Sequence, residues 1–597
     1  MRGLVAIVAH DRARSVAESE INGLADAFES LRGVSARESV AAGDFARVVR
    51  FAADGASHIE NDGASWVASH GLVLYPGSLI GARVEDLDGQ FSLVSFNART
   101  DEVVVSGDRY GLQTLYVAER LGKTYVSTSS LALARYLRSE PNHFGLQYFL
   151  RKGSQHGEVT HFRGIERIKP GVRIRFGDRS VTRETYYRPR LDEEVAAMGL
   201  AEAAEHLVDV AVETFAKQLD PDIEYCANIT GGYDSRLVNL LLREAGITVR
   251  TNTRGALDHP DVRIARKIVG LTGWEWLHIE HPPNWPDMQP DLLDHALAWG
   301  DGHLDVFDLS AALWQPPEMG IEPIMFNGGG PETMRSYNWW HEWANIGRSN
   351  RVDFEGMFNM RSMVKKDMSV LAEDPSEAVR ANLLSRLSVW AEPHAGHLNT
   401  WQLDMIYGYM NTAHFGLYGP AFGAYGLIQS PYYFGSINEK AASVNWKHRL
   451  GHGLMRHAIN HLDPKVAALP TTMGGPAEPI QFSNLHRFAP YAKSVGRRAT
   501  NKLSKRAIGR KLINHPVPGP TEAEIAARRN CLDGLRVGGD SGVTGYLTRS
   551  ASLYDEPVVA DLLRRAVEPD FEDTEMLGRI LTVEMVLRAT NNSLDAG

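Results

Sequence analysis

The first third of the chain is written in short apolar runs. "FSLVSFNA", "EVVVSG", "TLYVAE" and "TYVSTS" are strand-length blocks of aliphatic and aromatic residues. Turns containing Asp, Gly or Asn separate them at intervals of roughly ten residues, the spacing of strands in a sandwich. "GVRIRFGDRSVTRETYY" reads as one more hairpin, with Gly-Asp at its turn. The opening run Leu4 to Ala9 is short for a signal sequence and far too short to span a bilayer, so it reads as the first strand of a folded domain. Residues 1–190 are thus expected to form a β-rich domain.

Near residue 195 the rhythm changes. "AEAAEHLVDVAVETFAKQL" (201–219) spaces Leu207, Val210, Ala211 and Phe215 for one helix face. An apolar strand "IEYCANI" follows, then a Gly-Gly turn, a helix of about ten residues and a second strand "ITVRTNT". "PDVRIARKIVGLTG" predicts a helix, and "WEWLHIE" and "EPIMFN" predict strands. Strand–helix alternation with apolar strands signals a parallel sheet covered by helices. From about 350 onward the pattern is mainly helical, interrupted by aromatic-rich stretches such as "YGYMNTAHFGLYGPAFGAYGLIQSPYYF". The expected class is α/β, with domains at 1–190 and 195–597.

Composition narrows the picture a little. A length of 597 residues implies two domains or three. Hydrophobic content of 43% and charged content of 23% are those of a soluble globular chain. A net charge of −10 argues against a general nucleic-acid binder. Cys226 and Cys531 form no CxxC pair, which excludes a thiolate zinc site and leaves no disulfide framework. No stretch reaches eighteen apolar residues, so no membrane partner is expected and a cytoplasmic enzyme is the default.

The chemistry concentrates in "ANITGGYDSRL" (227–237). In a parallel α/β sheet, ligands bind at the carboxyl ends of strands, near helix N-termini. Gly231 and Gly232 let the backbone turn tightly and bring its N–H groups near an anion. Thr230 and Ser235 offer hydroxyls, and a helix starting near Ser235 adds its positive end. Asp234 would repel bare phosphate, so its natural role is to hold a bridging divalent cation. Arg236 could add positive charge or face solvent. No Lys follows the glycines, so this is not the GKS/GKT P-loop. A plain turn with an Asp at a helix N-terminus is the competing reading.

The turn resembles the pyrophosphate loop Ser-Gly-Gly-x-Asp-Ser of N-type ATP pyrophosphatases, with Thr230 in place of the usual serine. "LDGQFSLVSFNARTDEVVVSGDRYGLQTLYV" (87–117) resembles the asparagine synthetase family through Leu87, Gly89, Phe91, Asp108, Arg109, Gly111, Leu115 and Tyr116. "THFRGIERIKPGVRIRF" is similar to the family segment before the synthetase domain. "NGGGPETMRSY" (327–337) is similar to its second glycine loop, and Leu469-Pro470 to the start of its C-terminal loop. Residues beyond about 480 match no named pattern. The resemblance implies a glutamine-amidotransferase-like sandwich followed by an ATP pyrophosphatase domain. It implies ATP and Mg2+, with Thr230, Gly231, Gly232, Tyr233, Asp234, Ser235, Arg236, Gly329 and Gly330 at the nucleotide. Asp234 would hold the metal, and Glu332 and Tyr337 would serve catalysis.

Departures reshape that expectation. Glutamine-dependent members carry a cysteine after the initiator methionine. Here it is Arg2, which cannot be a nucleophile. The glutamine-binding Arg-Gly-Pro-Asp and Asn-Gly-Glu segments are absent, so the N-terminal domain is expected to be inactive as a glutaminase. Pro331 stands where the family has a metal-holding Asp, and no lysine follows Leu469-Pro470 before Lys493. Asp261 and Arg263 lie where the family has an acidic residue near the nucleotide, although Asp261 reads equally well as a helix N-terminal residue. His278 reads as a sheet-end residue. Tyr337 and "NWWHEW" could line an acceptor pocket or simply pack between helices. "KSVGRRATNKLSKRAIGRK" (493–511), with Lys493, Arg497, Arg498, Lys502, Lys505, Arg506, Arg510 and Lys511, is either a solvated helix face or a site for an acidic partner.

The resemblance therefore implies an ATP-dependent C–N ligase acting on a peptide or small molecule that brings carboxylate and amine together. Relatives without the cysteine include β-lactam synthetase, carbapenam synthetase and the lasso-peptide macrolactam cyclases, so a natural-product tailoring role is expected. The alternatives are an ammonia-using asparagine synthetase and a catalytically degenerate nucleotide-binding homologue.

Overall fold

The structure, a computed structural model, describes residues 3–33, 36–52, 59–316, 324–342, 344–359, 367–423, 425–508, 521–535, 545–568 and 570–594. Arg2, Arg510 and Lys511 lie outside the described residues.

Two six-stranded antiparallel sheets face each other in the N-terminal domain. One contains Gly3–Ala9, Ala36–Ala42, Ala46–Ala52, Tyr116–Arg120, Lys123–Ser127 and Ile165–Arg167. The other contains Ile59–Asn61, Trp66–Leu74, Asp88–Asn97, Glu102–Gly107, Val172–Phe176 and Val181–Thr185. Leu4, Ala6 and Val8 meet Val94, Val103, Val105 and Ile174 between the sheets. Val5 and Ile7 point the other way, onto helices Glu18–Arg32 and Ser130–Leu137. The opening strand is buried on both faces, which is why it is apolar without alternation.

The second domain is built on a five-stranded sheet whose neighbouring strands all run parallel. Its strands are β1 (Tyr225–Asn228), β2 (Val249–Arg254), β3 (Trp276–Ile279), β4 (Ile324–Phe326) and β5 (Leu427–Gln429), in the order β3-β2-β1-β4-β5. Helix α1 (Asp234–Glu244) follows β1, and α2 (Pro260–Thr272) follows β2. Leu237, Val238, Leu240, Leu241 and Leu242 of α1 are buried. They share a core with Tyr225, Phe326 and Phe434.

One correction concerns the aromatic-rich stretch. Only its second half interrupts the helical region: the first half forms the end of α3 (Asn399–Ala421), and the second supplies the edge strand β5. Aromatic packing on both sides of α3, rather than a clean 3.6-residue stripe, hid the period.

The basic stretch is helical in α4 (Ala489–Ile508). The C-terminal segment ends in α5 (Thr574–Ala589), buried at every position from Met576 to Leu587. It returns to the first domain, where Leu577, Ile580 and Leu581 share a core with Leu131, Leu146 and Phe149. Arg579 Nη1 donates to the Leu150 carbonyl at 3.1 Å. Glu584, with no exposed surface, accepts from Ser550 Oγ at 2.7 Å and Arg588 Nε at 2.9 Å. No helix among the described residues is long and apolar enough to cross a membrane.

Candidate active site

β1 ends at Asn228, and the chain reverses into α1 through Thr230, Gly231, Gly232 and Tyr233. The turn is bonded to itself and to α2. Thr230 N–H donates to Ser235 Oγ at 3.0 Å, the two hydroxyls are 2.9 Å apart, and Gly232 N–H donates to Thr230 Oγ1 at 3.2 Å. Gly231 N–H donates to Asp261 Oδ1 at 2.9 Å, so Asp261 supports the turn from the start of α2. Arg263 is exposed on the same helix. The first amides of α1 have no carbonyl one turn earlier to bond, as at any helix N-terminus.

Neither glycine of the turn has a positive φ. Gly231 is required for space: a Cβ there would lie 2.6 Å from Thr472 Cγ2 and 2.9 Å from Ile264 Cδ1. At Gly232 a Cβ would meet nothing closer than Thr230 Oγ1 at 3.4 Å. The neighbour crowding Gly231 is the segment after Leu469-Pro470, whose Thr472 N–H donates to the Gly231 carbonyl at 3.0 Å.

Arg236 departs from its expected place at the nucleotide. Its side chain is fully buried and reaches away from the turn. Nη1 donates to the Val466 and Leu469 carbonyls at 3.1 Å, and Nη2 to the Pro470 carbonyl at 2.8 Å. It ties α1 to the Leu469-Pro470 segment, and burial pushes its pKa down to about 10. Tyr233 is likewise a packing residue, buried and stacked on His452 with ring centroids 4.7 Å apart.

The open side of the turn carries a charge cluster. Arg335 Nη1 donates to Asp234 Oδ2 at 3.1 Å, and Nη2 to Glu332 Oε1 at 3.3 Å. Burial pushes Asp234 up to about 6; Arg335 pulls it back and Glu332 adds to the rise. Asp234 Oδ1 and Glu332 Oε2 are both buried with no hydrogen-bond partner. Two such oxygens fit a divalent cation completed by phosphate and water oxygens. A protein-only cage is absent: among the described residues no group of three or more His, Cys, Asp or Glu could hold a metal.

The second glycine loop brings Glu332 and Arg335 to this place. Gly328 packs against the first turn of α1, where its Cβ would come within 2.7 Å of Ser235 N. Gly329 N–H donates to Asn327 Oδ1 at 2.8 Å. Gly330, at φ 84°, lies against the Tyr433 ring. Pro331 then opens a 3-10 turn, Pro331–Met334, where its missing N–H costs nothing. Arg449 braces the loop by donating to the Glu332 carbonyl at 3.4 Å, the Arg335 carbonyl at 3.3 Å and Asp404 Oδ2 at 2.6 Å. Asn338 and Trp339 also donate to Asp404, and Trp339 is fully buried, so this part of "NWWHEW" is structural packing. Tyr337 and Trp340 point outward, 49% and 45% exposed. The Arg335 guanidinium carbon is 5.6 Å from the Tyr337 ring centre. His278 hydrogen-bonds the Gly255 carbonyl at 2.7 Å and stacks on Trp276, a sheet-end role.

A cavity of about 310 Å³ lies beside the turn at the carboxyl edge of the sheet. Asn228, Arg254, Ile279, Asn327 and Ile428 reach it from the five strands and their ends, and Phe415, Tyr418 and Phe422 close it from α3 and the residue beyond. Gln90 and Leu112 contribute from the N-terminal domain. That domain docks through its "LDGQF" segment. Asp88 accepts from Gly435 N at 2.7 Å and Ser436 N at 2.9 Å, and Gln90 Nε2 donates to the Ser430 carbonyl at 2.8 Å. Asp108 accepts from the amides of Tyr110, Leu112 and Gln113 at 2.8–3.1 Å, folding "DRYGLQTLY" back on itself.

Gly328, Arg335, Arg449, Arg254 and Thr472 were missed as site residues in the sequence. Only Gly328 carried a local signal, as the first of three consecutive glycines.

Comparison with known proteins bears on the first domain. No curated protein matches the chain. The chain is similar to the glutamine phosphoribosylpyrophosphate amidotransferase from B. subtilis complexed with ADP and GMP at 12% identity, over 46% of this chain and 65% of that one, with a TM-score of 0.23. For a structure described as the allosteric regulatory enzyme of purine biosynthesis, the values are 12%, 42%, 64% and 0.22. The chain thus spans less than two thirds of either structure, and similarity this low carries no argument about activity. Residues 77–187 match the glutamine amidotransferase domain family. The N-terminal sandwich is therefore a class II glutamine-amidotransferase-like domain, joined to a parallel-sheet domain with extensive helices.

Proposed function

We propose that the protein is an ATP-dependent amide-bond-forming ligase. The observation that carries this reading is the cluster at the mouth of the Gly-Gly turn. Two half-buried carboxylates, each with one buried and unsatisfied oxygen, flank Arg335 beside the N-terminus of α1. The triphosphate would lie against this helix end. Magnesium bound with the nucleotide would offset phosphate charge, and Asp234 Oδ1 and Glu332 Oε2 are the atoms that would hold it. A substrate carboxylate oxygen attacks the α-phosphorus as the bond to the β-phosphate oxygen breaks and pyrophosphate leaves. An amine then attacks the acyl carbon, the bond to AMP breaks, and the amine loses a proton. Arg335 is a fixed cation where negative charge builds in the first step, a role the family assigns to a lysine not found in "LPTTMGGPAEPIQF". With Arg2 in place of a cysteine nucleophile, the amine comes from the substrate itself or a second molecule. Macrolactam formation in natural-product or peptide tailoring fits this reading better than asparagine synthesis.

A second reading is favoured by Arg335 itself. Because it already pairs with both Asp234 and Glu332, the site would also suit a homologue that binds nucleotide without turnover. Carboxylate-dependent exchange of labelled pyrophosphate into ATP separates the two. The ligase reading expects exchange that Asp234→Ala abolishes. Tight ATP binding without exchange across a broad panel of carboxylates and peptides would support the second reading.

A further inference from the structure

The cavity at the carboxyl edge of the sheet has an unusual electrical inventory. Among the described residues, Arg254 at the end of β2 is its one lysine or arginine, and no aspartate or glutamate lines it. Four of its other polar side chains are already engaged. Asn252 Nδ2 donates to Cys226 Sγ at 2.9 Å, Asn327 Oδ1 accepts from Gly329 N and Ser430 Oγ, and Gln90 is paired with Ser430. Arg254 is different: among the described residues its side chain makes no hydrogen bond or ion pair, and Nη1 is buried without a partner. Burial lowers its pKa, yet a guanidinium keeps its charge at neutral pH. Gln315 Oε1, also on the wall, is a buried acceptor with no donor. The remaining surface is largely aromatic and aliphatic, through Phe415, Tyr418 and Phe422.

A half-buried, unpaired cation with Nη1 turned out of solvent calls for an anion. The chamber size of 310 Å³ is at the low end of small-molecule sites, enough for one acid of residue size. A free α-ammonium group would find no carboxylate to pair with, and burying it unpaired is costly. An amide N–H in its place would meet Gln315 Oε1. We propose that this cavity is the acyl-substrate subsite, with Arg254 as its carboxylate anchor. It selects an N-acylated or peptide carboxylate with an apolar body over a free amino acid. The word substrate rests on the ligase reading; the binding selectivity stands apart from it.

The test is calorimetric titration of the full chain with N-acetyl-L-phenylalanine, L-phenylalanine and L-aspartate. The acylated acid should bind at least tenfold more tightly than either free amino acid. Arg254→Gln should weaken it at least tenfold, and Arg254→Lys should recover part of the loss. Should Arg254→Gln fail to fold, N-acetyl-L-phenylalanine should still protect Arg254 of the native protein from phenylglyoxal, read by peptide mass spectrometry. Equal binding of acylated and free phenylalanine, no binding of the acylated acid at millimolar concentration, or absence of protection would overturn the proposal. So would competitive displacement of the acid by adenosine, which would make the chamber a nucleoside pocket. If the acid binds as expected while no carboxylate supports pyrophosphate exchange, the ligase reading fails and the anchor stands.

Discussion

Arg236→Met separates two meanings of a cation next to a phosphate-binding turn. If Arg236 touched the nucleotide, its loss would remove one charge from the binding site. The affinity for ATP would then depend less steeply on salt. The structure predicts otherwise. Three carbonyls, those of Val466, Leu469 and Pro470, take hydrogen bonds from this guanidinium at 2.8–3.1 Å. Charge-assisted bonds contribute roughly 1.5–3 kcal/mol each, about 4–9 together. Against this stands the burial that lowers the pKa to about 10 from 12.5, which is about 3 kcal/mol of disfavour for the charged form. The difference leaves roughly 1–6 kcal/mol, with methionine recovering part of the packing. The loss should be local first. The Leu469-Pro470 segment loosens, the Thr472 N–H bond to Gly231 opens more often, and hydrogen exchange at Thr472 accelerates. ATP affinity falls through the disordered turn, while the slope of log Kd against log salt keeps its wild-type value. A reduced slope with unchanged exchange at Thr472 would refute the argument and return Arg236 to the phosphate.

The two glycines should behave differently. Gly231→Ala forces a Cβ within 2.6 Å of Thr472 and lowers the melting temperature, at a cost of about 1–3 kcal/mol. Gly232→Ala leaves the melting temperature within a degree or two but weakens ATP binding if the phosphates approach that face. Equal melting losses would contradict this. Asp234 is held at about 6, above its ordinary 3.8. Its ionised form therefore costs the fold stability above pH 6, and that cost disappears as pH falls from about 6 to about 4. Asp234→Asn should melt higher than wild type at pH 7 and show no advantage near pH 4, while losing pyrophosphate exchange. An Asn variant that melts lower at pH 7 counts against the burial argument. Arg335→Gln should reduce exchange by about 10²–10³ if the guanidinium stabilises developing charge; increased exchange would mean that it only plugs the site. Expression of residues 195–597 alone should yield aggregated protein, because α5 loses Leu131, Leu146 and Phe149 as core partners; a soluble, cooperatively melting fragment would argue against the shared core.

Much of the architecture was legible because each element obeys a local rule. The sandwich strands show turn-bounded apolar runs, and α2 has Pro260 in its first turn and Gly273 at its end. The Gly-Gly turn was readable as a strand-to-helix junction. Its chemistry was only half readable. Asp234 and Glu332 lie 98 positions apart and are joined by Arg335. No periodicity announces that Gly328 will seat one loop on the other. Arg236 misled because an arginine after a phosphate-type turn has the same letter whether it points outward or into the core. Arg254 was unreadable for the opposite reason: it closes an ordinary strand pattern, and only the parallel sheet makes that strand end a cavity wall. The edge strand β5 was hidden in aromatic sequence, and the C-terminal segment had no pattern that named its partner.

On the proposed reading, that C-terminal partner gives the amidotransferase-like domain a structural reason to stay joined to the second domain. Catalytic residues can be lost singly, but a shared core cannot. The sandwich supplies the helices on which α5 is buried, and α5 in turn packs beside the helix Val306–Leu313 of the second domain through Val306, Leu309 and Leu313. The same domain's "LDGQF" segment places Asp88 on the amides of Gly435 and Ser436 and Gln90 on Ser430, the residue after β5. Gln90 and Leu112 also form part of the wall of the chamber that Arg254 charges. Removing the domain would therefore open the chamber to water, and an unpaired guanidinium in water attracts a carboxylate far less than one held in an apolar wall. On the proposed reading, the sandwich has exchanged the delivery of nitrogen for the enclosure of the acyl substrate.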